Sequence, residues 1–179
     1  AVLRAHYIVR SGDHGSIMHI RARYGHGGRL GYEKEWLADL KVSGGGELLD
    51  QGMHLIDLVR FFAGEMSLAF SELRSDFWDT GVEDNAFLAL HTDHGALAWL
   101  HASWTEWKNQ FSFEIAMQMA KVEISGLGGS YGTERLALHE MLPEMGPPMT
   151  TIWEWPRGDN SWALEIEDLL CAIDGSPGI

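Results

Sequence analysis

The 179-residue sequence has a single cysteine, Cys171, so no disulfide can form within the chain, and this usage fits a reducing cytoplasm. No apolar run is long enough to cross a bilayer and no charged-then-apolar leader is present, so neither membrane insertion nor export is indicated. Basic residues are scarce. Thirteen Lys and Arg face 26 Asp and Glu for a net charge of -13, and no basic cluster forms a patch for a phosphate backbone. Nucleic acid is therefore excluded as a partner. Also missing is a strand that runs into Gly-x-Gly-x-x-Gly and a helix with an acidic residue beyond it, the mark of a dinucleotide-binding domain.

What is present begins with residues 44–65, where a glycine run opens onto a helical pattern. Leu48, Leu55, Val59 and Phe62 fall on one stripe of a 3.6-residue period, which leaves Asp50, His54 and Asp57 on another face. Asp50 and His54 are one turn apart and can share a ligand or bond each other. Histidine titrates near neutrality, so His54 is the candidate acid/base and Asp50 its partner, although such a pair also occurs as ordinary solvated surface. Three successive glycines serve either a tight turn or a close approach of backbone to a ligand, which makes Gly45 and Gly46 candidates for contact with a cofactor.

The remaining periodicities describe one domain over 1–179. Residues 1–10 read as a helix closed by Ser11-Gly12, and 17–24 alternate as a strand. Residues 25–46 are irregular and too long for an ordinary connection, which marks a loop that is either functional or disordered. Tyr32, Lys34, Trp36 and Arg29 in this loop are candidates to hold a sugar ring, with Trp36 equally suited to pinning the loop to the core. After a helix over 50–63, strands are predicted at 68–77, 86–92, 96–104, 111–119, 121–125, 131–139 and 150–155, with a hairpin turn at Asp93-His94-Gly95. A last helix over 162–173 carries an apolar stripe of Trp162, Ile166, Leu169, Leu170 and Ile173, with cap candidates at 159–161. The fold class is α+β: a large, mostly antiparallel open-faced sheet with helices on one side. Trp104 ends its strand as a core residue or a second sugar contact, and the uncovered sheet face needs a partner.

Several patterns carry little chemistry. His91, His94 and His101 flank the hairpin without a fixed fourth ligand, so no metal site is read from the sequence. The glycines of 126–132 precede a strand and not a helix, and read as a turn. Arg21, Arg23, Arg29, Lys34 and Lys41 offer a local basic patch for an anionic sugar, but Arg21 and Arg23 alternate with Ile20, Ala22 and Tyr24 as outward strand charges do.

The run Gly44-Gly45-Gly46-Glu47-Leu48-Leu49-Asp50-Gln51-Gly52-Met53-His54-Leu55-Ile56-Asp57, followed by Arg60 and Gly64-Glu65, resembles the signature of the second domain of the Gfo/Idh/MocA oxidoreductases. The likeness extends to Ser11-Gly12, Gly15, Tyr24 to Trp36, Gly126 to Gly132, and Ser161-Trp162 with Glu165. It implies that Asp50 and His54 act on a secondary hydroxyl of a sugar, nucleotide-sugar or polyol beside NAD or NADP. The cofactor would be held mainly by a Rossmann domain that this sequence lacks, so the isolated chain is expected to be inactive. The family's Glu-Lys-Pro motif belongs to that missing domain, so Lys34 in Glu33-Lys34-Glu35 is not its catalytic lysine. The resemblance also implies that the chain is truncated at both ends, stopping at 176–179 before a final helix. A homodimer or tetramer through the open sheet face is implied in turn. The alternative reading is a non-catalytic carbohydrate-binding or scaffolding domain in which the tryptophans make the contacts.

Overall fold

The computed structural model describes residues 1–156 and 161–176. Helix α1 (Val2–Arg10) leads to strand β1 (Ile17–Gly25), then through short helical turns and α2 (Leu40–Ser43) to a π-helical turn, Leu48–Gly52, that runs directly into α3 (Met53–Ala63). Strands β2 (Met66–Arg74), β3 (Asn85–Thr92), β4 (Leu97–Ser103), β5 (Gln110–Met117), β6 (Ala120–Ser125), β7 (Glu134–Glu140) and β8 (Met149–Trp155) follow, and α4 (Ser161–Asp174) comes last. All eight strands form one sheet in the order β2-β3-β4-β1-β5-β6-β7-β8.

Among the described residues, only β1 and β4 pair in parallel. Parallel neighbours need a crossover, and here the connection carries α3 before returning through the β2–β3 hairpin. The other pairings are antiparallel, including β1 with β5, in which Ala22 lies opposite Phe113 and Ile20 opposite Ile115. The expected fold class is thus the observed one. Asp93-His94-Gly95 makes the β3–β4 turn, where Gly95 donates to the Thr92 carbonyl at 2.9 Å.

Alternation decides which face is core. Phe111, Phe113, Ile115 and Met117 of β5 are buried on the face that α1 and α3 cover, against Leu55, Val59 and Phe62. Ser112, Glu114 and Ala116 point to the opposite, uncovered face. That face also holds Arg21, which bonds Glu114 at 2.7 Å, and Trp99, stacked on Phe70 with ring centroids 6.2 Å apart. Arg21 and Arg23 are therefore outward strand charges.

Three elements differ from expectation, and the first, β2, ends at Arg74 and not at 77. Strand β7 begins at Glu134 and not at 131, because the preceding glycines coil the chain through a 3-10 turn at Gly129–Tyr131 that folds Tyr131 back toward Tyr24. Helix α4 forms where its periodicity placed it, yet Trp162, Ile166, Leu169, Leu170 and Ile173 all remain exposed, so α4 does not join the layer made by α1 and α3. Of its predicted cap, Asp159 and Asn160 lie outside the described residues, as do the final positions 177–179. No helix among the described residues is long and apolar enough to cross a membrane.

A second, smaller core of Tyr32, Trp78, Val82 and Trp104 sits at the end of the sheet where β1 and β4 finish. Asp84 organises it. Fully buried, its carboxylate accepts the backbone N–H groups of Asp76, Phe77 and Trp78 at 2.8, 2.8 and 2.9 Å. Burial raises the pKa of Asp84, but these bonds outweigh it and hold the carboxyl below its ordinary value. Asp84→Ala, which strands three N–H donors, is expected to cost about 3 kcal/mol or more, measured by urea denaturation at neutral pH. Since Asp84 stabilises the fold only while ionised, that cost should shrink as the pH falls below the ordinary carboxylate range.

Candidate active site

The glycine-led segment is held by the loop before β3. Gly46 and Leu48 both donate backbone N–H to Glu83 Oε1, at 3.2 and 3.1 Å, while the N–H of Glu47 donates to the Glu83 carbonyl at 3.0 Å. Gly46 has to be glycine, because a Cβ there would lie 2.1 Å from the Glu83 carbonyl oxygen. A helix N-terminus ordinarily offers its free N–H groups to an anion, and here the anion is the protein's own Glu83. The close backbone approach expected of Gly45 and Gly46 to a cofactor is consequently made to protein: Gly46 is buried against Glu83, and a Cβ on Gly45 would touch Leu49 at 3.1 Å.

Beyond this anchor the chain widens into the π turn Leu48–Gly52 before regular helix begins. Such turns insert one extra residue and often mark functional sites. Burial first, and with it the nearby charge of Asp50 in the turn, raises the pKa of Tyr24, Tyr32 and Tyr131. His54, one turn on, is exposed, with its ring centroid 6.1 Å from that of Tyr24. Tyr24 is the common neighbour of the two predicted groups. Burial, then Tyr131 and Asp50, push its phenol up to about 12, so it remains a neutral hydrogen-bonding group at physiological pH. Gln51 donates to the Tyr131 hydroxyl at 3.2 Å and fixes the far wall.

Glu47 was not anticipated. It is fully buried directly under the turn, and neither carboxylate oxygen meets a hydrogen-bond partner. Burial first, then Asp50, with Glu83 and Asp84 adding, raise its pKa to about 10. The backbone of Ser103 eases the shift without reaching the geometry of a hydrogen bond. His26, just past β1, stands opposite. Burial lowers its pKa against the pull of Asp50, and its Nδ1 accepts the Gly28 N–H at 2.9 Å. One ligand atom from each of His26, Glu47 and Asp50 lies within 4.8 Å of the other two.

The loop residues separate. Tyr32 is buried between His26, Trp78 and Trp104, with ring centroids 5.7, 5.5 and 5.1 Å away, and forms a wall of the site. Arg29 and Lys34 are exposed, Arg29 being tied to Glu35 at 2.6 Å, and Trp36 is 62% exposed and so does not pin the loop. Trp104 is a correction: it has no exposure at all, so it is core and not a substrate contact. Its backbone N–H donates to the Asp84 carbonyl at 2.8 Å, which turns the indole inward after β4. The three strand-end histidines do not assemble either. His101 bonds Asn85 at 3.1 Å and stacks on Phe87, while His91 and His94 are exposed.

A buried carboxyl kept neutral sets the sign of a pH effect. Protonated Glu47 contributes fully below pH 4.5, its ordinary pKa, and that contribution is lost as the pH rises through about 10. Glu47→Gln, which mimics the neutral form, should therefore melt at a higher temperature than the parent in metal-free buffer. The difference should widen from pH 5 to pH 9, as followed by circular dichroism.

A family model described as the GFO/IDH/MocA C-terminal domain matches residues 2–130. Among solved structures, levoglucosan dehydrogenase in complex with NADH and levoglucosan superposes with a TM-score of 0.79 at 18% identity, over 98% of this chain and 54% of that one. Aldose-aldose oxidoreductase from Caulobacter crescentus, complexed with glycerol, gives 0.76 at 23% identity over 99% and 52%. An NAD-binding oxidoreductase from Klebsiella pneumoniae gives 0.69 at 16% identity over 84% and 43%. At these identities the likeness is one of fold, and the chain spans about half the length of the first two structures. No curated protein matches the sequence. With the sheet, the glycine-anchored helix and a family match over most of its length in agreement, the chain belongs to the GFO/IDH/MocA family and is a C-terminal domain of it.

Proposed function

We propose that this chain is the substrate-binding and acid/base half of an NAD(P)-dependent oxidoreductase acting on a secondary hydroxyl of a sugar, nucleotide-sugar or polyol. The observation that carries the reading is the convergence of Asp50 and His54 on Tyr24 at the end of the sheet, with the polar groups of Tyr131 and Gln51 beside them. Such a wall of neutral donors and acceptors around one carboxylate and one imidazole suits a polyhydroxylated ligand. The solved relatives whose names mention levoglucosan, an aldose and NADH point the same way.

In this reading His54 takes the hydroxyl proton and Asp50 orients either the ring or the hydroxyl. When bound, NAD or NADP supplies the hydride acceptor. The cofactor's phosphates do not fit the helix N-terminus in this chain, since Glu83 already occupies those N–H groups. They belong on a dinucleotide-binding half, and the isolated chain should be inactive. In this reading the exposed Trp36, with Lys34 and Arg29 on the same loop, contacts the outer part of a sugar, and their exposure leaves them free to do so. A purely carbohydrate-binding module has less support, because Trp104 is sealed in the core.

The uncovered sheet face supports assembly into a homodimer or tetramer. Its apolar residues Phe70, Trp99 and Ile152 are 44–45% exposed, and two of its cations, Arg21 and Lys121, are paired with Glu114, both at 2.7 Å. A face of this kind loses little by desolvation against a second copy.

Two measurements test this. In a polypeptide carrying both halves, His54→Ala should lower kcat by about 100- to 10,000-fold with a sugar alcohol and NAD or NADP; unchanged turnover would return the chain to a binding role. Trp99→Glu should shift the chain toward monomer in analytical ultracentrifugation, and an unaltered mass would remove the sheet face as the interface.

A further inference from the structure

Glu47 is a buried acid that nothing in its surroundings would compensate on ionisation. It has no exposure, neither oxygen has a hydrogen-bond partner, and the charged groups acting on it, Asp50, Glu83 and Asp84, are all acidic. A carboxylate in that position is tolerated only when a proton or a cation is set against it. Among the described residues, His26, Glu47 and Asp50 are the one set of three His, Cys, Asp or Glu side chains whose ligand atoms gather within 4.8 Å.

We propose that His26, Glu47 and Asp50 bind a divalent transition-metal ion between β1 and the glycine-anchored turn. One imidazole and two carboxylates form a donor set that suits zinc, manganese, iron or cobalt better than calcium or magnesium, which favour all-oxygen shells. Closing the gap asks little of the chain. Donors reach such an ion at about 2.0–2.2 Å, so side-chain rotations that draw the three groups inward complete the site. A water-sized group cannot touch Glu47 from outside, which favours a bare ion held between the ligands over a bulky cationic group on an organic ligand.

Each ligand is positioned by a separate part of the fold. Glu47 is fixed through Glu83, Asp50 by the π turn, and His26 by the Gly28 N–H on its Nδ1. While Nδ1 accepts from Gly28 the ring proton sits on Nε2, so coordination through Nε2 requires that proton to move to Nδ1. A ring coordinated through Nε2 carries its proton on Nδ1, which then repels the Gly28 N–H instead of accepting it. Metal binding and the position of the loop after His26 are therefore coupled. A substrate oxygen would reach such an ion from the side of Asp50, the more exposed of the two carboxylates; that use rests on the proposed hydroxyl chemistry, whereas binding of the ion does not.

The test uses the chain stripped with a chelator and titrated separately with Zn²⁺, Mn²⁺ and Co²⁺ by calorimetry, with the visible spectrum of the cobalt form recorded. One ion per chain is expected. Glu47→Gln, Asp50→Asn and His26→Gln should each weaken binding by at least about tenfold, while His54→Ala binds normally. Saturating metal should raise the melting temperature of the parent but not of Glu47→Gln, with the circular dichroism of every variant confirming its fold. Hydrogen exchange across residues 26–34 should change on metal addition. Absence of saturable binding by all three ions, or undiminished binding by folded Glu47→Gln, overturns the site. Weakened binding in His54→Ala overturns the ligand assignment. Loss of the catalytic reading, seen as normal turnover in His54→Ala, would leave the metal result standing.

Discussion

The geometry of this domain depends on two adjacent carboxylates, Glu83 and Asp84, that bind backbone and, among the described residues, no cationic side chain. Glu83 takes the N–H groups of Gly46 and Leu48, and Asp84 takes those of Asp76, Phe77 and Trp78. Their own backbone completes the joint: the Glu83 carbonyl accepts from Glu47, and the Asp84 carbonyl from Trp104. The Asp84 bonds, at 2.8–2.9 Å, have the short length of charge-assisted ones, and the longer pair on Glu83 sets where the helix begins. Everything at the site is measured from that joint.

The joint also explains the site's imbalance of charge. Anchoring a helix start with an acidic loop brings Glu83 and Asp84 close to Glu47 and Asp50, and together these four acids act on a region whose remaining groups are tyrosines and a neutral His26. Nearby phenols respond by holding their protons, as Tyr24 does. The result is a pocket wall that donates hydrogen bonds freely, set over a carboxyl that burial keeps protonated. Fold and chemistry are not separable here, because the same carboxylates serve both.

Much of the architecture was legible in the sequence because sheets of this kind write their inside and outside into alternate residues. Phe111, Phe113, Ile115 and Met117 against Ser112, Glu114 and Ala116 leave no ambiguity, and the apolar stripe of α3 is as clear. Asp50 and His54 were legible for a different reason, since a glycine run, a carboxylate and an imidazole stand in one motif. Glu47 sits inside that motif and gave no signal. Its burial depends on Glu83, 36 positions away, and on the floor supplied by β4. His26 and Tyr131 are likewise brought in by loops whose course follows from glycine conformations and not from periodicity. Trp104 shows the converse limit: an aromatic at a strand end reads equally as ligand contact or core until the chain beyond it is seen to turn. The stripe on α4 is a true helical pattern, but periodicity says which side is apolar and not what covers it.

The widened turn at Leu48–Gly52 has a further consequence for how this region can change over evolutionary time. Each residue of a helix advances the side-chain direction by about 100°. The extra residue therefore sets the angular phase between Asp50 upstream and the stripe of Leu55, Val59 and Phe62 downstream. Deleting it would restore an ordinary helix and swing either the ionisable groups or the buried stripe out of alignment. Diversification of this segment is thereby confined to exchanges of side chain, and new ligand preferences must arise in the loops around it.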